Sequence, residues 1–154
     1  MKISDFIAPE NVVVRLGVKD KPQLLTELSR RAAAPLLTDV RTILAALTAR
    51  EELGSTGIGD GIAIPHARIE RLPAPFGLFA HLDRPIDFAA IDDKPVDLVF
   101  LLLSPTGADS EHLAALACVS RRLRDRKVAE RLRAARDPGA LYDMLAGTSP
   151  SAKS

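Results

Sequence analysis

Residues 98–103 read LVFLLL, with Val96 and Ser104 extending the stretch on either side. An apolar run without polar alternation offers no solvent-facing side, so as a strand it has to be buried, with both faces of its sheet covered. It is far too short to span a bilayer, and a chain that is not membrane-embedded is expected. With 154 residues, 47% of them hydrophobic, there is apolar material for one well-filled core. The expectation is a single α/β domain in which helices bracket a sheet.

The rest of the chain supplies those elements. NVVVRLGV (11–18) alternates Val12, Val14, Leu16 and Val18 on one face, as a strand does. Asp20 as N-cap, Pro22 in the first turn and Gln23 closing a capping box predict a helix start, with Pro35 helping to end that helix. Thr38-Asp39 caps a second helix carrying Val40, Ile43, Leu44 and Leu47 on one stripe, and Leu53-Gly54 stops it. Asp60-Gly61 between Ile58 and Ile62 is a tight-turn signal joining two short extended pieces. Phe76 to Leu82 reads as a strand. A helix capped by Asp109 or Ser110 follows, with Leu113, Leu116, Ala117, Ser120 and Leu123 on one face, and then short helices over Val128–Ala135 and Gly139–Leu145. Residues 148–154 are small and polar and are expected to form a disordered tail.

Charge and cysteine content exclude several functions. The net charge is +1, which makes no global case for nucleic acid or a membrane surface. One cysteine excludes an internal disulfide framework and fits a reducing compartment. The N-terminus carries Asp5 and Glu10 without a long apolar stretch, so no signal peptide and a cytoplasmic location are expected. Residues 121–136 hold eight basic and two acidic side chains, a local charge of +6. They read either as solvated helix faces or as a docking surface for an acidic protein patch. No aromatic residue is interleaved there to stack on nucleic acid.

The candidate chemistry lies in GSTGIGDGIAIPHAR (54–68). Gly54 to Gly59 matches half of a P-loop, but Asp60-Gly61 stands where Lys and Ser/Thr are required, and the dinucleotide fingerprint also fails. The glycines could still converge backbone N–H groups on a single phosphate, with Ser55 and Thr56 adding hydroxyls. They equally suit a turn-rich connection, and spacing does not decide between the two. Pro65 stiffens the backbone that presents His66, whose neutral imidazole would be a good nucleophile near pH 7. A hydrogen-bonded structural histidine remains open beside that reading. His112, in the first turn of its helix, is placed either to face an anion or simply as a polar first-turn residue. His81 reads as outward-facing, and Cys118 as a half-exposed filler on the side of Arg121 and Arg122. His66, His81, His112 and Cys118 lie too far apart to read as a metal motif. Arg50 closes the second helix and answers its dipole, or sets a permanent charge beside a bound phosphate.

Three stretches together resemble one family: 49–68, 84–105 (RPIDFAAIDDKPVDLVFLLLSP) and 111–145. The chain resembles the IIA domains of the bacterial phosphotransferase system, fructose/mannitol type, and within them the nitrogen-related regulatory branch. The GSTGIG…IPH block is the most specific part. The resemblance implies a mixed sheet flanked by helices over residues 1–147. It implies a phosphoryl group carried on His66, received from a small histidine phosphocarrier of the HPr type. It also implies that His112 and Arg50 stabilise the phosphate and that Ser55, Thr56 and Gly57, in the loop beside it, bind it. No nucleotide, metal or other cofactor is implied. Carrier docking is expected around His66, with Ile62, Ala63 and Ala67 forming part of the face. By family analogy the regulated targets would be potassium-transport or sensor-kinase proteins. The alternatives are a sugar-transport component that hands phosphate to a separate IIB cysteine, and an interaction module with a vestigial site. Ala67 stands where the nitrogen-related proteins often have Gly.

Overall fold

A computed structural model describes residues 1–147; the expected tail, 148–154, lies outside the described residues. After two short 3-10 turns the chain forms β1 (Val12–Leu16), α1 (Lys21–Leu36) and α2 (Val40–Glu52). Four short or long strands follow before β6: β2 (Gly57–Gly59), β3 (Ile62–Ala63), β4 (His66–Ile69) and β5 (Phe76–Ile86). β6 (Val96–Pro105) leads into α3 (Asp109–Arg124), α4 (Arg126–Ala134) and α5 (Pro138–Ala146).

The strands make one mixed sheet in the order β1-β5-β6-β3-β2, with β4 also pairing β6. β5 and β6 run antiparallel, while β1 is parallel to β5, and β3 and β4 are parallel to β6. The LVFLLL run therefore sits inside the sheet with both faces covered. Val99, Leu101 and Leu103 pack into the core that α1 and α2 complete. Leu98, Phe100 and Leu102 pack into the core under α3, α4 and α5. This is the mixed sheet flanked by helices that the sequence and its resemblance predict.

Local signals hold where their chemistry is short-range. Asp20 accepts a hydrogen bond from the Gln23 backbone, and Gln23 reaches the Lys19 N–H, one residue before the expected box partner. Asp39 caps α2 through Arg41 N–H. Asp60 and Gly61 both have positive φ, +56° and +80°, the pairing a two-residue hairpin turn demands.

Four expectations are corrected. Arg15 has φ +53° at a bulge in β1, and this reverses the strand's parity. Val12 and Val14 thus face the α3–α5 core while Leu16 and Val18 face the α1–α2 core. Pro35 lies inside α1; the helix ends one residue later, because Leu37 turns left-handed at φ +52°. α3 begins at Asp109 behind Ala108, an N-cap residue with no side-chain acceptor, and the Asp109 carboxylate pairs with Arg68 Nε at 3.0 Å. The buried face of α3 is His112, Ala115, Val119 and Leu123; Leu113 is 63% exposed.

Candidate active site

Three elements converge on His66. β4 begins at this residue, opposite Leu102 of β6. Its track along β6 continues from β3, interrupted at Ile64-Pro65, where the Pro65 carbonyl accepts from Leu102 N–H. The last turn of α2 brings Arg50, and the first turn of α3 brings His112. The two imidazole centroids lie 5.5 Å apart. Together with Arg50, Ala46, Ala49, Leu53, Ala67, Arg68, Leu113 and Leu116 they line a cavity of about 320 Å³.

The hydrogen bonds of His66 fix its tautomer. Nδ1 lies 2.8 Å from the Ile64 carbonyl, which can only accept, so Nδ1 carries the hydrogen. Nε2 then holds the lone pair, and Arg50 Nε–H donates to it at 3.2 Å. Arg50 is itself held by Nη1–H donating to the Gly54 carbonyl at 2.8 Å. Burial lowers the His66 pKa below 6.5; the Ile64 bond opposes this, and the Arg50 charge reinforces it. The ring is therefore neutral at pH 7, with a nucleophilic lone pair next to a permanent cation.

His112 is 3% exposed, and its Nδ1 sits 2.6 Å from the Ser104 hydroxyl on β6. Burial, then the neighbouring His66 and Arg68, push its pKa down to about 4. A hydroxyl can donate or accept, so Ser104 is compatible with either tautomer of this ring.

The 55–57 loop is built differently from the arrangement the resemblance implies. The Ser55 hydroxyl donates to the Phe88 carbonyl and accepts from Gly57 N–H. Thr56 is buried, and both its hydroxyl and its N–H donate to Glu51. Glu51 in turn pairs with Lys21 at 2.7 Å. A Cβ at Gly57 would stand 2.7 Å from that of Ala90. These donors clamp the loop onto α1, α2 and the 88–90 turn, and none of the three residues lines the His66 cavity.

Of the expected docking residues, Ile62 and Ala63 are buried away from the cavity, whereas Ala67, largely buried against the α1–α2 core, still contributes to the cavity lining. The apolar rim of the cavity is instead Leu53, 85% exposed, and Leu113. Sequence reasoning missed Arg68, Glu51 and Ser104. Arg68 shares a face with His66 through the two-residue period of β4, a strand the sequence reading left out. Cys118 is half-buried beside Arg121 and Arg122, as expected. His81 lies on β5 opposite Leu98, half-buried, and its side chain lines an open cavity with Arg15 and Arg133.

Residues 5–147 match the family described as phosphoenolpyruvate-dependent sugar phosphotransferase system, EIIA 2. The chain belongs to this family. It is 50% identical over 146 residues to a nitrogen regulatory protein of Bradyrhizobium diazoefficiens, covering 95% of each chain. The crystal structure of nitrogen regulatory protein IIA-Ntr from Neisseria meningitidis superposes with a TM-score of 0.88 at 31% identity, covering 93% of this chain and 98% of that one. IIA mannitol from Escherichia coli shares the fold at 20% identity, with a TM-score of 0.77 over 90% and 98% of the two chains. Among the described residues no helix is long and apolar enough to cross a membrane.

Proposed function

We propose that this chain is a phosphohistidine carrier of the nitrogen-related branch of its family, working in the cytoplasm. His66 Nε2 accepts a phosphoryl group from the phosphohistidine of an HPr-type carrier, and the two charge states bind target proteins differently. The observation that carries this reading is the His66 ring itself. Its Nδ1–H is held by the Ile64 carbonyl, and its lone pair faces the Arg50 guanidinium in an exposed cavity.

The chemistry follows from that geometry. Nε2 attacks phosphorus in line as the bond to the donor imidazole breaks, and the donor ring leaves with that electron pair. Positive charge grows on the His66 ring, and the Ile64 carbonyl faces the Nδ1–H that bears it. Arg50, whose Nε–H now rests on Nε2, transfers its donors to the equatorial oxygens, with His112 on the other side. The bound phosphate adds about −1.5 to −2 charges to the cavity floor, enough to change which partner surface fits it.

The test is incubation with phosphoenolpyruvate, the general phosphotransferase enzyme and the carrier. The wild-type chain should gain one acid-labile phosphate and His66→Ala none. A labelled His66→Ala chain would overturn the assignment. Arg50→Gln should slow transfer by about 10²-fold, the usual cost of removing one charge-stabilising donor.

A further inference from the structure

A second basic cavity lies at the other end of the sheet. It has a volume of about 310 Å³ and is lined by Val14 and Arg15 of β1, His81 of β5 and residues 133–136 at the end of α4. Three of those side chains are guanidinium groups, from Arg15, Arg133 and Arg136, and no acidic side chain lines it. Asp97, the second residue of β6, lies on this side, whereas Ser104 stands beside His112. Seven residues of strand separate them, about 23 Å at roughly 3.3 Å per residue. This cavity is not part of the His66 site.

Arg133 is preorganised. Its Nε–H bonds both carboxylate oxygens of Asp97, at 3.1 and 2.9 Å. Its Nη2 group donates to Asp97 at 2.9 Å and to the Asp60 carbonyl at 2.8 Å. These bonds consume three of the five guanidinium hydrogens, leaving both on Nη1 unspent. Asp97 compensates the charge of Arg133 alone. Among the described residues the side chains of Arg15 and Arg136 have no ion-pair or hydrogen-bond partner. The bulge that gives Arg15 its left-handed φ of +53° also sets its side chain at this cavity. A strained conformation held at a charged pocket is the pattern seen where a ligand is gripped.

We propose that this cavity binds a small phosphate-bearing anion. Donors arriving from three separate elements, β1, β5 and α4, surround a tetrahedral oxyanion better than the single plane of a carboxylate, which one guanidinium fork already satisfies. The volume is at the lower end of metabolite pockets, with room for a phosphate and a small organic moiety. The segment 121–136, whose excess charge the sequence left open between solvated face and docking surface, thereby supplies two arginines to a concave site.

The test is calorimetric titration of the full chain with pyrophosphate, inorganic phosphate and a hexose phosphate at low ionic strength. The panel is wild type, Arg50→Gln and the double variant Arg15→Gln/Arg136→Gln. Arg50→Gln weakens anion capture at His66, so binding that persists in it comes from elsewhere. Gln keeps the same backbone demand at position 15, and both sites are exposed, so the thermal midpoint serves as the folding control. At least one of the three anions should bind in wild type and Arg50→Gln alike and lose about tenfold or more affinity in the double variant. Loss in Arg50→Gln, or retention in the double variant, overturns the proposal. So does the absence of binding by all three up to roughly 10 mM. A dicarboxylate that binds as tightly as pyrophosphate would overturn the phosphate selectivity.

Discussion

A histidine whose Nδ1 hydrogen is held by a main-chain carbonyl can react only through Nε2, and His66 is held in that way. His112 is constrained differently, because its partner is the Ser104 hydroxyl. For His112 Nε2–H to donate to a phosphoryl oxygen, Ser104 has to donate to Nδ1. Ser104→Ala removes that bias while leaving His66 and Arg50 in place. We expect about a tenfold slower phosphorylation, together with a changed His112 tautomer in nitrogen-15 imidazole spectra. An unchanged tautomer would mean the hydroxyl does not set it. The depressed pKa of His112, about 4 against 6.5 in an unfolded chain, also has a stability consequence. Between those values the unfolded chain binds the proton and the native one does not, so stability falls as pH drops through this window. The loss is on the order of 3 kcal/mol when complete. Urea unfolding from pH 7 to pH 4 should show this slope, and His112→Asn should flatten it.

At the level of elements, Leu37 ends α1 in the left-handed region while 94% exposed. An L-residue there costs about 1–2 kcal/mol, and glycine gives back about 0.5–1 through chain entropy. Leu37→Gly should therefore stabilise the protein by about 0.5–1 kcal/mol, read as a higher urea midpoint at constant slope. Features set by neighbours in sequence were legible: the Asp20 and Asp39 caps, the Asp60-Gly61 turn, and β6 from its unbroken apolar run. Features set by distant partners were not. β4 is a strand because β6 lies beside it, and HARI carries no alternation strong enough to announce this. The parity of β1 depends on one bulged residue. On α3 the bulky Leu113 and Leu116 outweigh Ala115 and Val119 in an apolar count, yet the smaller pair meets the sheet. The candidate site shows the same division. Arg50, His66 and His112 were legible through the family block. Glu51, Arg68 and Ser104 act through contacts that only the folded chain makes.

Across the whole molecule, the misread stripe on α3 becomes the rim of the candidate site. Leu53 at the end of α2 and Leu113 in the first turn of α3 project from different elements on either side of the His66 cavity. Two exposed leucines flanking the recessed His66 ring form a rim that the proposed carrier would cover, excluding water from the proposed transfer. Burying one leucine is worth about 1.5–3 kcal/mol when complete, and less for a side chain already 37% covered, as its 63% exposure leaves Leu113. Leu113→Ser should accordingly raise KM for the phosphorylated carrier by about tenfold, the equivalent of about 1.4 kcal/mol. It should leave kcat unaltered, because Arg50, His66 and His112 are untouched. The urea midpoint should not move, since the wild-type leucine contributes little to the core. Steady-state phosphorylation with varied carrier concentration separates the two constants. An unchanged KM would place the carrier elsewhere on the surface, and a fall in kcat alone would make Leu113 a support for His112 rather than a contact for the partner.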